Sequence, residues 1–155
     1  MIEIIDYESI YHDDFKGISL QWLYEYGLYE EIDGAMLNYP KTNFLDKSGL
    51  IFLARVEGLI VGSIILLPQY ESTFELLKLG VSKRYRNRGI GMALLKHSIE
   101  QAKLLHAESI IIETSSKLEA AICLYEKLGF THIAPQNGKY ELSDVSMELL
   151  IPTSN

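Results

Sequence analysis

The chain has 155 residues, 48% of them hydrophobic and 23% charged, and a formal net charge of −7 at neutral pH. That length carries one domain with a real core and is short for two of ordinary size, so one unit over residues 1–155 is expected. Without a run of about eighteen apolar residues, or a cationic leader ahead of an apolar core, neither a membrane span nor a secretory signal is expected, and cytoplasmic residence is the default.

Ile2 to Asp6 alternates weakly and predicts an opening strand. Phe15, Ile18, Trp22, Tyr26 and Tyr29 then recur three or four apart, which predicts a helix with Gly27 as its stop signal. A second helical piece covers about Glu31 to Asn38 and is ended by Pro40. Leu50 to Val56 and Leu59 to Leu67 are apolar runs parted by Glu57-Gly58, the pattern of a hairpin; Gly62 marks a close backbone approach and Pro68 ends the second strand. Phe74 to Val81 is the next strand. Gly91, Leu94, Leu95, Ser98, Ile99, Ala102 and Leu105 lie at helical spacing, and Ile110 to Thr114 is a short strand of the kind buried on both faces. Ser116-Lys117-Leu118-Glu119 reads as a capping box opening a helix that Gly129-Phe130 closes. Asn137-Gly138 reads as a turn between a strand near 130–134 and a last one over 139–151. This order predicts an α+β three-layer sandwich: a mixed, mostly antiparallel sheet of about seven strands with helices on both faces.

The most informative stretch joins strand to helix: Val81-Ser82-Lys83-Arg84-Tyr85-Arg86-Asn87-Arg88-Gly89-Ile90-Gly91-Met92. A helix start leaves backbone N–H groups unpaired at the positive end of the helix dipole and so suits a phosphate. Gly89 and Gly91 let an anion approach, and Lys83, Arg84, Arg86 and Arg88 place four cations within six residues of an acidic chain. The spacing is neither that of a P-loop nor that of a dinucleotide-binding turn.

Arg86, Gly89 and Gly91, as Arg-x-x-Gly-x-Gly between a strand and an amphipathic helix, resemble the acetyl-CoA loop of the GNAT acetyltransferase superfamily. Further on, Leu124-Tyr125-Glu126-Lys127-Leu128-Gly129-Phe130 is similar to that family's Leu-Tyr-x-Lys-x-Gly-Phe segment. The two motifs stand in the family's order and cover roughly the C-terminal half; the N-terminal half matches in outline. The resemblance implies acetyl-CoA as co-substrate and residues 74–130 as the cofactor-binding core. Backbone groups of Leu79, Gly80 and Val81 would hold the acetyl carbonyl and pantetheine arm. Arg86 and the amides of Arg88, Gly89, Ile90, Gly91 and Met92 would take the pyrophosphate, and Tyr125 would protonate the departing sulfur. About residues 1–45 form the helical segment beside the acceptor. An asparagine common in the family near the start of the second helix is absent from Thr114-Ser115-Ser116.

Transfer from a thioester to an amine needs a neutral amine, donors for the developing oxyanion and a proton for the thiolate. Glu75 precedes Val81 by six residues, where some superfamily members carry a base, and in a regular strand it would share a face with Leu77, Leu79 and Val81; the resemblance also implies a strand that is often bulged, which would break that parity. The alternative for Glu75 is an exposed strand residue or an ion-pair partner of Lys78. Residues 1–40 hold nine acids (Glu3, Asp6, Glu8, Asp13, Asp14, Glu25, Glu30, Glu31, Asp33) against one base, Lys16, a balance that would attract a cationic acceptor.

The expected activity is therefore transfer of an acetyl group from acetyl-CoA to a primary amine of a small molecule, directly within a ternary complex. The alternatives are a protein lysine or N-terminal acetyltransferase, and a non-catalytic acetyl-CoA-binding module. The single cysteine, Cys123, is expected as a buried structural thiol. The four histidines form no metal-binding spacing, so no metal is expected. Net negative charge disfavours a nucleic-acid partner; a homodimer is left open.

Overall fold

The computed structural model describes residues 1–135 and 140–152. Seven strands form one sheet in the order β1-β2-β3-β4-β5-β7-β6. They are β1 Ile2–Asp6, β2 Leu50–Val56, β3 Leu59–Tyr70, β4 Thr73–Val81, β5 Ser109–Thr114, β6 Thr131–Ile133 and β7 Val145–Leu150. The β4–β5 pair is parallel; the other neighbours are antiparallel. Helices α1 (His12–Glu25) and α2 (Glu31–Asn38), with the one-turn α3 (Pro40–Asn43), cover one face; α4 (Ile90–Leu104) and α5 (Glu119–Lys127) cover the other. This is the three-layer arrangement that the order of elements predicts.

The central strands are apolar throughout because both their faces are covered. On β3, Ile64 and Leu66 pack with Leu94 and Leu95 of α4, whereas Ile65 and Leu67 pack with Phe15 and Leu23 of α1. All four β3 side chains are buried, and each contributes roughly 1.5–3 kcal/mol through its burial.

Several sequence expectations are corrected at the element ends. β3 runs through Pro68 to Tyr70; its pairing with β2 stops at Leu66, whereas Pro68 stays in register with Phe74 of β4, so the proline lies where the strand has a partner on one side only. Pro40 ends α2 but also starts α3, at a first-turn position that needs no N–H. Ser116 does not cap α5. Its N–H and hydroxyl both donate to Asp144, at 2.8 and 2.7 Å, and the residue before α5 is Leu118, with no side-chain cap. The reciprocal cap in this chain stands at α2, between Glu30 and Asp33. The last strand starts at Val145 rather than 139, because the N–H groups of Glu141 and Leu142 turn to the Glu30 carboxylate. The Asn137-Gly138 turn lies outside the described residues. Among those residues, no helix is long and apolar enough to cross a membrane.

Candidate active site

The site begins with a fault in β4. Ser63 pairs with Gly80 and Ile65 with Leu77, so Lys78 and Leu79 stand opposite the single residue Ile64. Lys78 takes a left-handed φ of 56° at this bulge, a conformation costly for a residue with a side chain and characteristic of functional sites. The extra residue flips the strand's alternation. Glu75, Leu77 and Lys78 border one pocket on the α1–α2 side, while Leu79 and Val81 pack with the α4–α5 core. The shared face expected for Glu75, Leu77, Leu79 and Val81 is thus broken at Lys78.

The same strand parts from its parallel neighbour. No register pair joins β4 to β5 beyond Leu76 and Ile112, although both strands continue. A cleft of about 640 Å³ opens there, walled by β4, β5, α5 and the loop before α4. Eight of the nine residues expected at the cofactor border it: Leu79, Gly80, Val81, Arg86, Gly89, Ile90, Gly91 and Met92. The ninth, Arg88, does not; its guanidinium lies over the Tyr85 ring, 4.9 Å from the centroid.

The loop is shaped for a helix start that faces the cleft. Gly89 precedes α4 with a φ of 81°, and the first helical bond runs from the Ala93 N–H to the Gly89 carbonyl. The N–H groups of Ile90, Gly91 and Met92 therefore have no intrahelical acceptor. Gly91 serves close packing: a Cβ there would meet Leu124 of α5 at 3.2 Å. Arg86 borders the cleft, but its guanidinium holds Glu25 on α1. Lys83, Arg84 and Arg88 are exposed.

Tyr125 stands on the α5 wall of the cleft, 5% exposed, with its ring tilted against Phe130 at 5.9 Å. Burial raises its phenol above the ordinary 10.0, which keeps the proton on the oxygen. Cys123, expected to be buried, is exposed and borders the same cleft. It falls two positions before Tyr125, on the helix side turned from the core.

A second, smaller pocket of about 60 Å³ adjoins the cleft; Trp22, Lys78, Glu113, Thr114 and Leu118 border both. Glu30, Asp33, Glu75 and Glu113 bring four carboxylates to it, against Lys78. Lys78 ion-pairs with Asp33, their side chains 4% and 1% exposed. Its ammonium also donates to the Tyr140 hydroxyl at 3.1 Å and lies 4.4 Å from that ring's centroid. Tyr140 in turn donates to the Met36 sulfur at 3.2 Å, and burial, first, with Asp33 second, raises its pKa. Glu75 is 3% exposed and accepts a hydrogen bond from Gln69, so it is not the exposed strand glutamate set as one of its alternatives.

The sequence pointed to Glu75 and Tyr125 but not to Lys78, Asp33, Glu113, Tyr140 or Trp22 as site residues. One signal was available: Lys78 is a lone cation in an otherwise apolar strand beside a glutamate. Glu113 carried none, since a single carboxylate near a strand end is ordinary.

Residues 7–130 match the model of the Acetyltransferase (GNAT) family, and the chain belongs to that family. It is 33% identical over 109 residues to N-alpha-acetyltransferase 30 of Dictyostelium discoideum, an overlap of 68% of this chain and 59% of that protein. It is 36% identical over 92 residues to N-acetylaspartate synthetase of Xenopus tropicalis, covering 58% of this chain and 34% of that one. The chain thus spans less than two thirds of the length of either relative. A GNAT-family acetyltransferase structure from Staphylococcus aureus Mu50 matches with a TM-score of 0.87 at 26% identity, over 96% of this chain and 98% of that one.

Proposed function

We propose that the protein is an acetyl-CoA-dependent N-acetyltransferase that moves the acetyl group directly to a primary amine of a small cationic molecule, within a ternary complex. One observation carries this reading: the large cleft beside the glycine loop meets a small, carboxylate-rich pocket at Trp22, Lys78 and Glu113. In the cleft, the amides of Ile90, Gly91 and Met92 take the pyrophosphate and the backbone of Leu79 to Val81 takes the pantetheine arm. In the pocket, four carboxylates against one ammonium favour a cation.

The amine nitrogen attacks the thioester carbonyl carbon, forming the N–C bond as the carbonyl π electrons move onto oxygen. A carboxylate takes the proton that the nitrogen sheds, directly or through a water. Collapse re-forms the carbonyl and breaks the C–S bond, and the Tyr125 phenol donates its proton to the leaving sulfur. The products are the N-acetyl amine and CoA thiol, and the carboxylate's proton returns to the phenol through solvent. Glu75 and Glu113 are the carboxylates for the base role; Glu113 borders both cavities, Glu75 the pocket alone.

A protein N-terminus is the second reading, favoured by the N-alpha-acetyltransferase relative. The test is a screen of amines and peptides with release of CoA thiol as the signal. Turnover on small cationic amines is the expected result. Turnover on peptides alone would move the acceptor to a protein, and CoA binding without turnover on any amine or peptide would favour a non-catalytic module.

A further inference from the structure

Trp22 is the only tryptophan of the chain. It is half-buried near the end of α1 and borders both the cleft and the pocket. Its indole N–H is buried and has no hydrogen-bond partner among the described residues. A buried donor left unmade costs about 1–3 kcal/mol, and buried indole N–H groups ordinarily find an acceptor.

A glycine sets the position of this donor. A Cβ on Gly80 would lie 2.5 Å from Nε1 and 2.6 Å from Cδ1 of Trp22, so the polar edge of the indole fills the space of the missing side chain. Ser63 is the register partner of Gly80 on β3 and faces the same side of the sheet. Its hydroxyl is likewise buried without a partner among the described residues. Two orphan polar groups therefore flank one residue, immediately after the bulge, where β4 and β5 have parted. Packing alone would be served by an apolar ring; an unpaired N–H against bare backbone is the arrangement of a donor whose acceptor comes with the ligand.

We infer that the Trp22 indole N–H donates a hydrogen bond to the acyl carbonyl oxygen of acetyl-CoA and stabilises the oxyanion formed during transfer. This rests on the acetyl-CoA reading above. An acetyl group held by the backbone of Leu79 to Val81 brings its carbonyl against Gly80. A modest turn of the ring about its Cβ–Cγ bond carries the N–H from Gly80 to that oxygen, and the hydrogen bond gained offsets the unmade one. The contact tightens as negative charge grows on the oxygen and relaxes when the C–S bond breaks. The indole keeps its proton throughout.

A single tryptophan gives a single indole signal in a proton–nitrogen correlation spectrum of the full chain, which reads the donor without any turnover. Acetyl-CoA should move this signal downfield. CoA, which has no acyl carbonyl, should not reproduce the move, while the Gly89 and Gly91 amides respond to both ligands. If those amides respond to both and the indole signal is the same with either, the inference is overturned and the cofactor reading stands; if the amides respond to neither, both fall. In catalysis, Trp22→Phe keeps a ring and removes the donor, so kcat should drop about 10²- to 10³-fold with KM for acetyl-CoA nearly unchanged. A folded Trp22→Phe protein with wild-type kcat would also overturn the inference.

Discussion

Arg86 grips Glu25 with both terminal nitrogens, Nη1 to Oε2 at 3.0 Å and Nη2 to Oε1 at 2.9 Å, while its Nε donates to the Val81 carbonyl at 3.2 Å. One guanidinium thus ties the last turn of α1 to the end of β4, next to the glycine loop. The hydrogen bond from Arg86 is the main cause that holds the Glu25 carboxyl below its ordinary 4.5. A lowered carboxylate pKa adds stability above the unfolded-state value and loses it as pH falls through the folded value. Glu25→Gln should therefore reduce Tm slightly at neutral pH, by the equivalent of at most about 1 kcal/mol for a partly exposed pair. The gap to wild type should close as pH drops below 4.5. Melting curves across pH check this, and a gap undiminished in acid would assign the loss to something other than the ion pair.

The two loop glycines should fail differently. Gly89 has open space around it but a φ of 81°, so a branched residue there is strained by about 1–2 kcal/mol, whereas asparagine adopts the left-handed region more readily. Gly91 has ordinary helical backbone but Leu124 within 3.2 Å of a new Cβ. Calorimetry should find that Gly89→Val lowers acetyl-CoA affinity at least about tenfold and that Gly89→Asn retains more of it. Gly91→Val should lower affinity by pushing α5 from the cleft. Equal binding by all three variants and wild type would remove the loop from the cofactor site.

The reach of the sequence can be judged from these residues. Gly89 and Tyr125 were legible because local pattern determines them: a turn that enters a helix, and a helical stripe that points inward. The order of strands and helices was legible for the same reason, since hydrophobic period is a property of neighbours in the chain. The place of the bulge was not, for only the family resemblance pointed to one in this strand: Lys78 enters it through a mismatch between β3 and β4, and register is a relation between strands. The Asp33–Lys78 pair was hidden for a similar reason: its members are 45 residues apart and meet only when α2 packs on β4. Ser116 misled because its local pattern is that of a cap, yet Asp144, 28 residues away, takes its donors.

Lys78 and Asp33 should prove strongly coupled. Each is an ion in a place that excludes water, so removing either takes from the other its opposite charge, at a cost of about 3–5 kcal/mol. Lys78→Met and Asp33→Leu should each shift the urea midpoint down sharply, and the double variant should recover much of the loss. The interaction energy follows from the double-mutant cycle. Single losses that simply add in the double variant would mean that the pair contributes no coupling.

Glu75→Gln and Glu113→Gln divide the base role. The amide keeps size and hydrogen bonding but takes no proton, so the variant of the true base should lose about 10²-fold or more in kcat. Its rate should also lose the acid limb of the wild-type pH profile. Glu113 borders the cleft as well as the pocket and is expected to show the larger loss; Glu75 borders the pocket alone and should act chiefly on KM for the amine. An unchanged rate and pH profile in both variants would assign the proton to ordered water or another side chain.

Tyr125 is the residue proposed to donate a proton to the departing sulfur. It faces the cleft from α5, and its hydroxyl has no hydrogen-bond partner among the described residues. A core tyrosine held for packing would ordinarily have one. Because burial raises its pKa above 10.0, the phenol stays protonated over the whole working range, and no fall in rate below that pH should come from its ionisation. Tyr125→Phe fills the same space without the proton, so stability and acetyl-CoA affinity should hold while kcat drops by roughly 10- to 10³-fold. The loss should also depend on the leaving group: an acyl donor whose thiol is more acidic than CoA needs less help from an acid and should narrow the difference between variant and wild type. Steady-state kinetics with the two donors measures this. Full activity of Tyr125→Phe, or an equal deficit with both donors, would leave Tyr125 a packing residue.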